Sequence, residues 1–451
     1  MLMVFILGMW LIIATGSKLK PVAVNDSSIT TQSTNTQSTG TSTTTHRSPL
    51  SILLLQIIVI IVVAKLFGSL FRRIGQPPVM GEMIAGIALG PSVLGWLSPQ
   101  TMTFLFPPTS LTTLGVFSQV GVVLFMFIVG MELDLEHLKE RASSAIMVSH
   151  ASIVFPFLLG SGLALALYPT LAPSHTEFMP FALFIGIAMS ITAFPVLALI
   201  LNDRGLTQSP LGTTALACAA IGDVSAWCIL AFVVALANST GFTHSLLTVG
   251  LTTLFTIALL IAKPWLERLI TRLVVRPERA RLAMAATVAF ALSCAWITET
   301  IGIHALFGGF LAGVVVPSNA TVQNFLREKI EPFSAAALLP LFFIFTGLRT
   351  QVTLLNDWNS WLMCLGVIIV AIVGKLGGSM LMARWTKMSW RDSFAIGALM
   401  NTRGLMELVV LNIGYDLGIL SARIFVMMVI MALTTTFMTA PLLSLVKVGK
   451  H

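Results

Sequence analysis

The chain has 451 residues, of which 56% are hydrophobic and 10% charged, with a formal net charge of +8. A mean hydropathy of +0.93 excludes a soluble globule and makes this an all-α polytopic membrane protein, whose length counts spans and not soluble domains. The basic excess sits in short loops between apolar runs, so it reports topology and gives no reason to expect a nucleic-acid partner.

The first element is an apolar stretch, Leu2–Thr15, followed by Lys18 and Lys20 and then a Ser/Thr-rich run from Asn25 to Ser48. The stretch is short for a span and reads as a signal-peptide-like segment, with a short extra helix as the other reading. Residues 1–49 are thus expected to form an extracytoplasmic tail, disordered in its polar part. From Leu50, thirteen apolar runs follow: 50–70, 78–97, 111–131, 144–168, 178–201, 210–237, 245–262, 281–298, 301–317, 335–348, 359–383, 392–413 and 422–445. Their lengths are those of transmembrane helices, the tenth being shorter than a full span. Residues 50–446 form the membrane domain, and 447–451 are read as a short tail without a regulatory domain.

Loop charge orients these spans. Arg72, Arg73, Lys139, Arg141, Arg204, Lys263, Arg268, Arg272, Arg276, Arg279, Arg281, Arg327, Lys329, Arg384, Lys387, Arg391, Lys447 and Lys450 fall on one side, and only Arg349 and Arg423 on the other. The rich side is expected to be cytoplasmic, with the N-terminus outside and the C-terminus inside, most simply in the plasma membrane. The four cysteines, Cys218, Cys228, Cys294 and Cys364, lie in apolar runs without metal-ligand spacing, so neither a metal site nor a cofactor is expected.

Three segments recur seven spans apart. Ile84–Ser92 echoes Leu311–Ser318, Leu124–Leu135 echoes Leu341–Val352, and Ile185–Pro195 echoes Ile396–Met406. An odd offset means opposite orientation, so two inverted six-helix repeats flank the seventh span as a linker. Inverted repeats belong to transporters, with the substrate site at discontinuous helices near the midplane. Pro195 in the fifth span, and the run Asn401, Thr402, Arg403 and Gly404 in the twelfth, mark both as candidates to be broken.

The sixth span carries one acid, Asp223, in an otherwise apolar setting, and the eleventh carries Lys375. An ionisable group at the centre of a membrane helix costs about 2.5–3.5 kcal/mol on insertion scales, so such residues usually face a cavity or a partner charge. A carboxylate there holds a proton or an alkali cation but not both, which is the requirement for exchange. Thr192, Ser225, freed carbonyls and water are the oxygen co-ligands to expect, with Lys375 as charge partner. Glu82 is a secondary ligand or the partner of an arginine. Arg403 and Glu407 are four residues apart and fit an intrahelical pair.

The strings GEMIAGIALGPSVLG, FIVGMELDL, SITAFPVLALILND, ACAAIGDVSAW, PLFFIFTGLRT, VGKLGG and NTRGLMELVVLNIG resemble the monovalent cation:proton antiporter 2 family, which includes plant cation/H⁺ exchangers and bacterial relatives. The resemblance runs from Leu50 to Val446. It implies the sodium/proton-antiporter fold, a homodimer formed through a panel, and a moving core with two crossed broken helices. It implies K⁺, Na⁺ or Li⁺ and H⁺ as substrates, membrane lipid as the surroundings, and an Asp223 that binds cation and proton in turn. Lys375 falls on the family's membrane lysine, Thr192–Pro195 on its crossing helix, and Glu82 on the glutamate before its AGIALGP-like stretch. Gly222 departs from the pattern, because the family commonly places Asn, Asp or Gln before the carboxylate. That departure sustains a second expectation, a non-transporting sensor or passive cation pathway. An intramembrane aspartyl protease using Asp223 and Asp416 is the enzyme alternative, against which the motif order counts.

Overall fold

The computed structural model describes residues 2–21, 48–131, 142–207, 209–238, 242–317 and 319–446. Its helices run in the order α1 (Leu2–Gly16), α2 (Pro49–Arg73), α3 (Pro78–Leu89), α4 (Leu94–Leu97), α5 (Pro99–Leu105), α6 (Pro108–Met131) and α7 (Ala142–Leu171). Then come α8 (Phe178–Ser190), α9 (Phe194–Asp203), α10 (Pro210–Asn238), α11 (Phe242–Val274), α12 (Ala280–Ile301), α13 (Ala305–Val314) and α14 (Ala320–Phe333). The last are α15 (Leu339–Arg349), α16 (Trp358–Ile372), α17 (Gly378–Trp385), α18 (Trp390–Met400), α19 (Leu405–Asp416) and α20 (Ala422–Leu445). Local chemistry sets many of the starts: Ser48, Asp357, Ser389 and Ser421 accept backbone N–H bonds at the heads of α2, α16, α18 and α20. Single π turns, Ser334–Leu338 and Val373–Gly377, join α14 to α15 and α16 to α17.

Eleven helical stretches among the described residues are long and apolar enough to cross a membrane, and α18 with α19, bent by 41°, makes a twelfth. The expected ninth span, 301–317, is instead the ten-residue α13. At 1.5 Å per residue it covers about half of a hydrocarbon core roughly 30 Å thick. The apolar run hides a helix break at Gly302–His304. Gly302, in the left-handed region at φ 97°, ends α12, and His304 caps the new helix. Most of α13 is buried against protein, which lets so short a helix sit at membrane depth.

The two repeats interlock. α3 packs on α15 and α13 on α6, the same contact related by the internal symmetry. A Cβ on Gly86 would lie 2.6 Å from the Ile344 carbonyl oxygen, and one on Gly347 would lie 2.5 Å from the Gly86 Cα. In the mate, a Cβ on Gly313 would lie 2.7 Å from the Met131 nitrogen, and one on Gly130 would strike the Phe310 carbonyl. Gly86 aligns with Gly313 and Gly130 with Gly347 in the repeat register, so backbone contact at small residues carries both halves.

A second group, α7 to α10 with α16 to α20, packs mostly within itself. α11 links the halves and is largely exposed. α1 lies against α7 and α8, with the Phe5 and Phe157 rings 5.6 Å apart. The Ser/Thr-rich run and the tail at 447–451 fall outside the described residues, apart from Ser48.

Candidate functional site

α8 and α9 are two half-helices separated by extended backbone at Ile191–Ala193. Pro195 does not kink a continuous helix. It sits in the first turn of α9, where its missing N–H is one of the donors any helix start leaves unpaired. α18 and α19 are separated at Asn401–Gly404. Gly404 is needed for proximity: a Cβ there would lie 2.8 Å from Val196 Cγ2 on α9. The breaks touch directly, with the Ala193 amide donating to the Thr402 carbonyl at 3.0 Å and the Thr192 hydroxyl to the Met400 carbonyl at 3.1 Å. α20 holds the second break through Thr436, which accepts from the Arg403 amide at 2.9 Å and donates to the Arg403 carbonyl at 3.0 Å.

A half-helix that stops inside a membrane exposes carbonyls and the negative end of its dipole. At the end of α8 two cations meet them. The Arg403 guanidinium donates to Ala188 O at 2.8 Å and Met189 O at 2.7 Å, and the Lys375 ammonium donates to Ser190 O. Lys375 also donates to Ser152 O on α7 at 3.0 Å. The π turn at Val373–Gly377 carries this lysine, a local irregularity often found at functional positions. Arg403 lies 3.3 Å from Glu407 in the first turn of α19, and neither side chain is exposed.

Asp223 lies on α10 beside this crossing and is 3% exposed. Neither carboxylate oxygen has a hydrogen-bond partner of normal geometry. The Phe194 amide, at the positive N-terminal end of α9, and the Lys375 charge both act on it. Beside it is a small cavity of about 10 Å³, lined by Ile191 of the first break, by Met406 and Val410 of α19 and by Ala226, Trp227 and Leu230 of α10. Trp227 packs edge-on to Phe307 at 4.9 Å, linking α10 to α13.

The expected site residues are only partly brought together. Asp223, Thr192, Lys375, Arg403 and Glu407 surround the crossing. Lys375 makes no ion pair with Asp223 within 4.0 Å; it acts on the end of α8. The half-buried Ser225 turns its hydroxyl back to Ile221 O at 2.9 Å. Among the described residues the partner of Glu82 is not an arginine but Lys65 on α2 at 3.9 Å, in the other helix group. Sequence reasoning missed Ser149, whose buried hydroxyl has no partner, and Asn401, whose side-chain oxygen and nitrogen are both buried and unpaired. Asn401 aligns with Ser190 in the repeat, a signal that was present; Ser149 lies in no recurring motif. A Cβ on Gly222 would meet only Ser149 Oγ, at 3.5 Å, so no close contact demands glycine there. Asp416 is engaged by Arg349 at 2.7 Å, with Asn412 accepting from the same Arg349 nitrogen at 3.0 Å. Among the described residues no group of three or more His, Cys, Asp or Glu could hold a metal.

Inverted repeats, crossed half-helices and a buried acid between them define a polytopic ion-exchanging membrane transporter, not an enzyme. The sodium/hydrogen exchanger transmembrane family matches residues 58–445, and the chain belongs to that family. It is 43% identical over 397 residues to the Na⁺/H⁺ antiporter NhaS4 of Synechocystis sp., covering 87% of this chain and 96% of that protein. It is 40% identical over 410 residues to cation/H⁺ antiporter 17 of Arabidopsis thaliana, and 34% identical over 408 residues to K⁺/H⁺ antiporter 1 of Saccharomyces cerevisiae. Those matches cover 90% and 88% of this chain but only 49% and 48% of the relatives, so the chain spans about half of the plant and yeast proteins. The sodium proton antiporter MjNhaP1 of Methanocaldococcus jannaschii shares the fold, with a TM-score of 0.66 at 14% identity over 88% of this chain and 98% of that one.

Proposed function

We propose that the chain is a secondary-active monovalent cation/H⁺ antiporter in which Asp223 binds proton and cation in competition. One observation carries the reading: a buried carboxylate with both oxygens unpaired, set between two helix breaks. An unpaired buried acid is costly, and occupancy by H⁺ or by a cation removes that cost. The relatives' names point the same way, in both their Na⁺ and their K⁺ forms.

In this scheme the fixed charges stay fixed. Lys375 and Arg403 hold the end of α8, Glu407 balances Arg403, and Asp223 alone changes its occupant. Thr192, Asn401 and Ser149 supply neutral oxygens, with Ser225 and Glu82 in lesser roles. The half-helices move as one body against the α3, α6, α13 and α15 panel, exposing Asp223 to each side in turn. Domain limits at 50–446, the cytoplasmic C-terminus, a plasma-membrane setting and a homodimer through the exposed face of α2 belong to the same proposal.

Gly222, which brings no side-chain oxygen to the position before Asp223, supports a second reading, a passive cation pathway or a non-transporting sensor. Proteoliposomes carrying a pH dye separate the two. Antiport gives a saturable proton movement on a pulse of K⁺, Na⁺ or Li⁺. A sensor gives none, and a passive pathway moves cations without moving protons.

A further inference from the structure

A cavity of about 660 Å³ lies outside both helix groups, between the C-terminal half of α11 and the chain entering α14. Arg268 and Arg272 line it from one face of α11, at i and i+4, and Arg276 from two residues past the helix end, with Thr271 beside them and Asn319 opposite. Glu267 also lines it, so the arginines outnumber the acids three to one. All three arginines are exposed, and none makes an ion pair among the described residues. Asn319 caps α14 by accepting from the Thr321 amide at 2.9 Å, so the positive end of that helix also faces the cavity.

Depth identifies the occupant. α11 has 33 residues, about 50 Å of helix against a hydrocarbon core of about 30 Å. Its apolar run ends at Lys263, and Trp265 is exposed where an interfacial aromatic belongs. Arg268 and Arg272 follow about one and two turns later, and Arg276 lies just past the helix end, from the headgroup layer outward.

We infer that this cavity is a binding site for the phosphate headgroup of an anionic phospholipid on the basic-loop side of the membrane, held by Arg268, Arg272 and Arg276. The guanidinium is suited to this because its fork of N–H donors matches phosphate oxygens in pairs. The lipid would tie the linker α11 to the start of α14, two helices that already pack together.

The test is a thermal melt of the purified protein in detergent with added dioleoylphosphatidylglycerol, dioleoylphosphatidylcholine or inorganic phosphate. Phosphatidylglycerol raises the melting temperature of the wild type by on the order of 5 °C when well above its dissociation constant, and phosphatidylcholine does not. The double variant Arg268→Gln with Arg272→Gln loses that shift while melting like the wild type in phosphatidylcholine. A control with equal charge loss, Arg72→Gln with Arg73→Gln on the exposed end of α2, keeps it. An equal shift in the wild type and the Arg268/Arg272 variant overturns the site. An equal shift from inorganic phosphate overturns the lipid and leaves a soluble anion.

Discussion

Replacing Arg403 by Gln tests the crossing most severely. The side chain is buried, donates to Ala188 O at 2.8 Å and Met189 O at 2.7 Å, and faces Glu407 at 3.3 Å. Its loss strands a buried carboxylate and reopens two carbonyls at the negative end of α8. Breaking a buried pair from one side costs about 3–5 kcal/mol, and a hydrogen bond to a charged group contributes about 1.5–3 kcal/mol. These overlap, so about 3–5 kcal/mol is the expected total. For a chain this long that corresponds to a fall in melting temperature on the order of 5 °C. The double variant Arg403→Gln with Glu407→Gln no longer holds a lone buried charge and recovers about 2 kcal/mol of the loss. The assay is a double-mutant cycle of detergent melts beside vesicle transport. If Glu407→Gln lowers the melting temperature of the Arg403 variant as much as it lowers that of the wild type, the two side chains are uncoupled and the reasoning is wrong.

Lys375→Ala unpairs Ser152 O and Ser190 O, so it lowers stability and transport while leaving the order of cation preference intact; a reversed Na⁺/K⁺ preference would make Lys375 a selectivity residue instead. Gly222→Asn melts within about 1 kcal/mol of the wild type because its Cβ makes only an ordinary contact with Ser149 Oγ at 3.5 Å, and a misfolded variant in size-exclusion chromatography would refute that tolerance. Gly86→Leu must displace backbone at Ile344 and fails to give folded protein, whereas Gly366→Ala, with nothing within 4 Å, is tolerated; equal yields would contradict the close contact of the repeats. With a single ionisable carrier, exchange is one proton for one cation, so an imposed membrane potential leaves the flux unchanged. A flux that follows the potential would require a second charge at the site.

The repeats were legible because close helix contact demands small residues at fixed places, and both copies keep them: Gly86 with Gly313, Gly130 with Gly347. Asp223 and Lys375 were legible for a similar reason, since a charge in an apolar run stands out. What each charge touches was not. Lys375 serves a half-helix end created by a break in another span, and nothing in its own segment encodes that partner. Glu82 pairs with Lys65, a lone lysine inside the first apolar run. The short α13 was hidden because the residues flanking it are as apolar as the helix itself. Asn401 was legible as part of a helix break but not as a group that burial leaves unpaired, and Ser149 is an ordinary polar residue in sequence that becomes notable only when buried.

The central claim is that one carboxylate carries proton and cation in turn. Initial flux in proteoliposomes, measured against cation concentration at several pH values for the wild type and Asp223→Asn, tests it most directly. Competition at Asp223 predicts that the apparent KM rises by up to about tenfold for each unit of acidification while the maximal rate is recovered at high cation, and that folded Asp223→Asn shows no exchange. Undiminished exchange in that variant, or a KM in the wild type that ignores pH, would place the carrier elsewhere.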